Sequence, residues 1–245
     1  MGFSWLLLIT CITCGTFWLG WKYQVRNLSI AMPLWVDLSR TIFLVFLFLL
    51  LARSFVLEPY RVPSESMMPT LLSGDYIVVQ KFCYGLRWPI LNSEFLSTGL
   101  PQRGDVIAFR KPGDESQHYV KRVIGLPGDR LFYRNKVLRI NGENVSLTFV
   151  DDVNGESGDG QIEALEQIGT NKHRVIHQVL ASPGTGEFEK TIPEAHYFVL
   201  GDNRDNSQDS RDPQVGLVPY ANLVGKASRV WMNWHELSRA GTKIQ

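Results

Sequence analysis

Two long apolar runs near the N-terminus constrain this chain more than any other feature. Phe3 to Trp21 carries no charged residue, and Thr41 to Leu57 is interrupted only by Arg53 near its end. Each approaches the roughly 17 to 20 residues that a helix needs to cross a bilayer core. A cleavable secretory signal would carry positive charge ahead of its apolar core, and no Lys or Arg precedes Lys22. Residues 3–21 are therefore expected to be a retained anchor helix, with a second spanning helix over about 41–57. The link at residues 22–40 holds Lys22, Arg26 and Arg40 against Asp37. The positive-inside tendency places that link in the cytoplasm and everything from Glu58 to Gln245 on the other side. Arg53, about a turn from the outer end, can snorkel into the headgroups. Trp18, Trp21 and Trp35 suit interfacial belts.

From Glu58 onward the pattern changes to short strand-like runs: Tyr76–Gln80, Asp105–Arg110, Tyr119–Ile124, Lys136–Ile140 and Tyr197–Leu200. Gly74-Asp75, Arg103-Gly104-Asp105, Pro127-Gly128-Asp129 and Asn141-Gly142 supply turns between them. Lys136–Ile140, Asn141-Gly142 and Glu143–Leu147 read together as a hairpin. The outer part is expected to be a mostly β, antiparallel domain at 58–245, with a smaller β insertion at about 133–195. Only Gln161–Gln167 hints at a helical turn or two. Asp151–Gly169 is acidic, Gly-rich and short of large apolar residues, and reads as a mobile loop.

With 25 Lys+Arg against 24 Asp+Glu the charge is balanced, which gives no support for a nucleic-acid partner. Cys11 and Cys14 lie in the first apolar run, which leaves Cys83 alone in the polar part, so no disulfide framework is available there. The Cys-x-x-Cys string sits in a membrane helix with no βαβ context and reads as small apolar filler.

Three stretches hold chemistry-bearing residues. The first is Pro63-Ser64-Glu65-Ser66-Met67-Met68-Pro69-Thr70-Leu71. Prolines push the residues before them toward extended geometry, in which Ser64 and Ser66 share a face and Glu65 points the other way. Serine between prolines is most often a plain turn, and the stretch alone leaves that reading open. The second is His118-Tyr119-Val120-Lys121-Arg122-Val123-Ile124-Gly125-Leu126-Pro127-Gly128-Asp129. On a strand Lys121 shares a face with Tyr119 and Val123, while His118 faces away. A desolvated lysine loses its proton more readily and can then accept one from a serine hydroxyl. The other reading is an edge-strand lysine in an ion pair, and this segment alone leaves both open. None of the five histidines stands in a motif of the Ser-His-Asp kind, and no serine lies in a Gly-x-Ser-x-Gly elbow. The third is Gly201–Arg211, dense in Asp and Asn. Counted from Asp205 as a calcium loop, it has Ser210 and Gly216 where Gly and Glu are needed, and Arg204 and Arg211 add positive charge. No metal and no cofactor is expected. The loop better suits a hydrogen-bonded buttress.

In this order the segments resemble the type I signal peptidases, in their two-span Gram-negative form. The resemblance runs from Arg53-Ser-Phe through Ser66, Gly74-Asp75 with Lys81-Phe82, Arg103-Gly104-Asp105-Val106, and Tyr119–Asp129 to Gly201–Arg211. It implies a Ser/Lys-dyad endopeptidase, with Ser66 as nucleophile and Lys121 as general base. It implies that Ser64 joins the Ser66 backbone N–H in the oxyanion hole, and that Ser207 orients the lysine amine. Asp209 and Arg211 would form a supporting ion pair, and Asp202 would partner Arg122. Tyr60, Val62, Met67, Leu71, Tyr119 and Val120 would line shallow pockets for small side chains. The implied substrates are signal peptides of preproteins leaving the translocation machinery, cleaved after an Ala-x-Ala type sequence at the periplasmic face of the inner membrane. Glu65 stands where many members have Gly, and a cysteine pair found in some Gram-negative members is missing. Ser66 lies nine residues past Leu57, so extended chain can carry it at most ~30 Å from the bilayer. Trp231, Met232 and Trp234 could dip into the interface or pack against the β-core. Two other classes fit parts of the pattern: a Ser/Lys processing or self-cleaving protease with another substrate, and a non-catalytic tethered β-domain that binds peptides. The first would normally carry a DNA-binding module in place of two spans, and the second is disfavoured by the presence of both Ser66 and Lys121.

Overall fold

The computed structural model describes residues 2–26, 32–88, 94–134, 136–150, 160–178 and 188–244. The chain falls into two compact units, Met1–Leu57 with Arg87–Phe95, and Glu58–Leu86 with Leu96–Gln245. The first contains α1 (Gly2–Gln24) and α2 (Leu34–Leu51), the latter running on into a π-helical turn at Ala52–Val56. Both helices are long and apolar enough to cross a membrane, over Trp5–Gln24 and Leu34–Val56. They run antiparallel: a Cβ on Gly15 would stand 3.0 Å from the Phe43 ring, while Trp21 meets Trp35 edge-on at 5.3 Å. The second helix begins ahead of the apolar run that starts at Thr41, because Pro33 is extended and its carbonyl accepts the Val36 and Asp37 N–H groups at 3.0 and 3.2 Å. Asp37 in that first turn suits the positive end of the helix dipole. Hydropathy marks where a helix is apolar, not where its hydrogen bonding begins. Arg87–Phe95 joins the helical unit, and there Phe95 meets Phe55 at 6.1 Å and Trp88 at 4.9 Å.

The second unit is built of antiparallel sheet. In chain order the strands begin with β1 (Leu57–Arg61), β2 (Tyr76–Gln80), β3 (Leu86–Arg87) and β4 (Glu94–Leu96), the last two at the edge of the Arg87–Phe95 segment, followed by β5 (Val106–Lys111) and β6 (Asp114–Gly125). They continue with β7 (Arg130–Arg134), β8 (Val137–Ile140), β9 (Glu143–Asn144), β10 (Ser146–Phe149), β11 (Gln161–Ile168), β12 (Asn171–Gln178) and β13 (Phe188–Thr191). The last are β14 (His196–Leu200), β15 (Val218–Pro219) and β16 (Leu223–Met232). The main sheet has seven strands in the order β1-β2-β16-β5-β6-β14-β15. Between β6 and β14 the chain builds two smaller sheets, β13-β7-β8-β9 and β10-β11-β12. The Asn141-Gly142 hairpin pairs Arg139 with Asn144 and Ile140 with Glu143, with both turn residues at positive φ.

Gln161–Gln167 is a strand, not a helical turn, and residues 161–168 are not a loop; Asp151–Asp159 lies outside the described residues. An acid hides the strand's alternation. Ala164, Glu166 and Ile168 are all buried on one face of β11, and Glu166 is tolerated there because it is paired.

Three Gly-Asp turns repeat one device at the ends of the main strands. Gly74, Gly104 and Gly128 have φ of 91°, 91° and 84°, where a side chain would be strained. The aspartate that follows is turned inward to accept a backbone N–H three residues back: Leu72 to Asp75 at 2.9 Å, Gln102 to Asp105 at 2.9 Å, Leu126 to Asp129 at 2.6 Å. Each is then tied to a cation, Asp75 to Arg239, Asp105 to Lys226 and Asp129 to Arg103. Three strands separate β1 from β6 in this sheet, yet the end of β1, the turn after it and β6 line one cleft. Beneath them lies an apolar cluster of Val62, Met67, Leu71, Ile77, Val79 and Val106, with Tyr60 and Val120 packed against its edge.

Candidate active site

The segment after β1 is a closed loop, not the extended stretch expected from its prolines. The Met68 N–H donates to the Glu65 carbonyl at 3.1 Å and the Leu71 N–H to that of Met67 at 2.9 Å. At the loop's base the Val62 N–H donates to the Asp75 carbonyl at 2.8 Å, and the Gly74 N–H to the Val62 carbonyl at 2.8 Å. The physical cause is burial: Val62, Met67 and Leu71 are each 4% exposed or less, and extended chain cannot send all three into one cluster. The two hydroxyls meet all the same, with Ser64 Oγ 3.2 Å from Ser66 Oγ.

Lys121 arrives from β6. Its Nζ stands 2.5 Å from Ser66 Oγ, and the residue is only 4% exposed. Burial holds the amine at about 8, well below its ordinary 10.5, while the Asp209 and Asp202 carboxylates pull the other way and Arg211 assists the lowering. The amine is therefore half neutral near pH 8, more than two pH units below where an ordinary lysine reaches that point. A neutral amine 2.5 Å from a hydroxyl can take its proton as the oxygen attacks a carbonyl.

Both groups open into a cleft of about 320 Å³, lined by Tyr60, Val62, Met67, Tyr119, Val120 and both serines. Arg61, Pro63, Glu65, His118, Asn206 and Gln208 complete its walls. Leu71 does not reach it and lies fully buried in the cluster below. His118 does reach it, 5.5 Å from the Tyr60 ring, although strand alternation puts it opposite Lys121. A groove that runs along a strand takes walls from both faces. Tyr119 is steadied by its hydroxyl, which donates to Gln208 Oε1 at 2.8 Å.

The loop at residues 201–211 packs behind the pair. Asp202 and Arg122 are both fully buried and doubly bonded, at 2.8 Å and 2.6 Å, and the Thr70 hydroxyl donates to Asp202 at 2.5 Å. Asp209 accepts from Arg211 at 2.9 and 2.8 Å and from the Gly201 N–H at 3.0 Å. The arginines hold both carboxyls below the ordinary range in spite of burial. A Cβ on Gly201 would overlap the Ser207 hydroxyl and the Ser66 carbonyl, so only glycine lets the loop approach. Ser207 Oγ is buried at that contact and makes no hydrogen bond to the Lys121 amine; it lies toward Asp209 and helps to hold that carboxyl ionised. Sequence reasoning missed Asn203, whose backbone N–H donates to the Ser66 carbonyl at 3.1 Å and whose Nδ2 donates to that of Glu65 at 3.2 Å. It also missed Glu166 and His173, which carry no motif. Among the described residues no group of three or more His, Cys, Asp or Glu side chains could hold a metal ion.

A hydroxyl and a buried amine in a shallow groove on an antiparallel β-domain, in a chain with two membrane-length helices, define a membrane-anchored hydrolase of the serine type. The sequence profile of the family described as "Signal peptidase, peptidase S26" matches residues 35–232. Signal peptidase I of Pseudomonas aeruginosa is 43% identical over 211 residues, covering 82% of this chain and 74% of the relative. That of Pseudomonas fluorescens is 42% identical over 213 residues, covering 83% and 75%. A crystal structure of a signal peptidase I from Enterococcus faecalis V583 is 33% identical and covers 53% of this chain and 97% of that one, with a TM-score of 0.34. The chain belongs to the S26 signal peptidase family.

Proposed function

We propose that this membrane-bound serine endopeptidase removes N-terminal signal peptides from translocated preproteins, cutting after small residues of the Ala-x-Ala type. Ser66 is the nucleophile and Lys121 its general base. The observation that carries this reading is the buried Lys121 amine, held at about 8 and set 2.5 Å from Ser66 Oγ. As Ser66 Oγ adds to the scissile carbonyl, its proton passes to Lys121 Nζ. The tetrahedral oxyanion is met by the Ser64 hydroxyl and the Ser66 backbone N–H. Collapse expels the amine of the mature chain, which takes the proton from Lys121, and leaves the signal peptide esterified to Ser66. Water, deprotonated by the same lysine, then hydrolyses the ester. Tyr60, Val62, Met67, Tyr119 and Val120 give the groove apolar walls with little depth, which suits side chains no larger than alanine.

The two N-terminal helices anchor the chain in the bacterial inner membrane with the catalytic domain on the periplasmic side, where precursors from the translocation machinery present their cleavage sites. The excess of Lys22, Arg26 and Arg40 over Asp37 where the two helices join supports that orientation. The direct test is the purified protein in detergent with a precursor whose signal ends in Ala-x-Ala. One cut after the second alanine is expected, and a change of that alanine to a bulky residue should block it. Cleavage elsewhere, or none, overturns the reading.

A further inference from the structure

β11 and β12 contribute no side chain to the cleft, yet β11 holds one half of a deeply buried ion pair that reaches the loop behind it. Glu166 on β11 and Arg204 in the loop are each 2% exposed. Both carboxylate oxygens accept from the guanidinium, one from Nη1 at 2.6 Å and the other from Nη2. His173 on β12 stands with Nε2 3.1 Å from the same carboxylate. Arg204 turns its Nε to the Gly201 carbonyl at 3.2 Å, and its own carbonyl accepts from Arg211. The backbones are joined as well, Ile176 N–H to the Asp202 carbonyl and Arg204 N–H to the Ile176 carbonyl, both at 2.9 Å.

Between these two fixed residues stands Asn203, from which the Glu65 and Ser66 carbonyls hang. Asp202 on one side grips Arg122, the neighbour of Lys121; Arg204 on the other grips Glu166. The nucleophile and the base are therefore both referenced to residues 202–204, and the outer end of that reference is in the β10-β11-β12 sheet. From this geometry we infer that Glu166 is a positioning residue for the Ser66–Lys121 pair, acting through Arg204 and Asn203. The inference rests on the assignment of Ser66 and Lys121 made above. A misplacement of about 1 Å between reacting groups is enough to lower turnover about a hundredfold, and the loss falls on kcat when ground-state contacts with the substrate stay intact.

Glu166→Gln keeps shape and one acceptor but removes the charge. We expect kcat to fall about ten- to a hundredfold with KM within about twofold, measured on full-length protein in detergent. A bystander that merely neutralises buried charge must be separated from this. Removing both charges with an apolar pair, Glu166→Leu with Arg204→Met, relieves the unpaired guanidinium and should recover much of the lost Tm while kcat stays low. Asn203→Ala added to Glu166→Gln should cost less than the product of the two single losses, because both act through one connection. The inference is overturned if Glu166→Gln keeps kcat within about twofold of wild type, if the apolar pair restores kcat along with Tm, or if the two losses multiply. Ser66→Ala run alongside separates the two levels: turnover retained there removes the nucleophile assignment itself, whatever the Glu166 series shows.

Discussion

Lys121 Nζ lies 2.5 Å from Ser66 Oγ across 55 residues of sequence, brought there by a β-strand and by a loop anchored on the buried Val62, Met67 and Leu71. As the proposed base and nucleophile the two would act as one unit, so losses at the two positions should not add. Ser66→Ala and Lys121→Ala should each lower cleavage of an Ala-x-Ala precursor by about a thousandfold or more, and the double variant should be no worse. Lys121→Arg should be as inactive, since a guanidinium keeps its proton. Near-normal turnover in Lys121→Ala protein with an unchanged circular dichroism spectrum would return the search to His118, which shares the cleft.

The protonation state of Lys121 sets the pH profile. With Lys121 as the proposed base the active form is the neutral amine, so kcat/KM should rise with pH and level off above about 8, the value burial gives this group. Below that the rate should fall about tenfold per pH unit. Asp209 and Asp202 favour the charged form, so Asp209→Asn should move the limb to lower pH. A flat profile from about pH 6 to 9, the range such an amine titrates in, contradicts the role.

Ser64 tests the oxyanion site. Its hydroxyl is 3.2 Å from Ser66 Oγ. Loss of one oxyanion donor typically costs ~3 kcal/mol, or about a hundredfold or more in kcat. Ser64→Ala should lose about that much, and Ser64→Thr, which keeps the hydroxyl, much less. Equal losses in both would assign Ser64 to packing.

What the sequence discloses, and what it hides, follows from the range of the interactions. Turns and strands set by local chemistry are legible: the Gly-Asp turns, the Asn141-Gly142 hairpin and the strand around Lys121 all announce themselves within a few residues. The two helices are legible from hydropathy, though not the start of the second at Leu34, which Pro33 and Asp37 decide. The Ser64–Thr70 turn defeats a local reading because proline's preference is outweighed by the burial of Val62, Met67 and Leu71, a tertiary effect. The β11 strand is hidden because its pattern includes Glu166, whose partner Arg204 is 38 residues away. Asn203 is unreadable for the same reason, since its bonds reach the Ser66 and Glu65 carbonyls, backbone that no motif marks.

Asp202 ties stability to acid. The Arg122 guanidinium holds its carboxyl below the ordinary value of 3.8, as Arg211 does for Asp209 and Arg239 for Asp75. A depressed carboxylate contributes stability that is complete above its unfolded value and drains away as pH falls toward the folded one. The carboxylate share of stability should therefore be lost below about pH 4, and it adds to an earlier loss that begins below 6.5, where the buried His173 and His177, held neutral by burial, must take up protons. Asp202→Ala leaves Arg122 buried without its partner, a loss of about 3 to 5 kcal/mol, and should flatten part of that acid limb. Thermal melts of both proteins at about pH 7, 5 and 3 measure this, and an identical acid limb in the variant would remove Asp202 from the account.

The orientation of the chain is open to a direct chemical test. Lys22 near the end of the first helix, Arg26 after it and Arg40 in the second outnumber Asp37, which supports the proposed orientation, with the connection between the helices in the cytoplasm and the Ser66–Lys121 cleft on the opposite side. Cys83 is the one cysteine outside the apolar runs, and its replacement by Ala clears the background. A cysteine at Arg26 should then react with a membrane-impermeant thiol reagent only after the membrane is opened. One at Glu115, exposed in β6, should react in intact spheroplasts. The reverse pattern would place the cleft on the side where no translocated precursor arrives, and a signal-peptide-cleaving role would then be untenable.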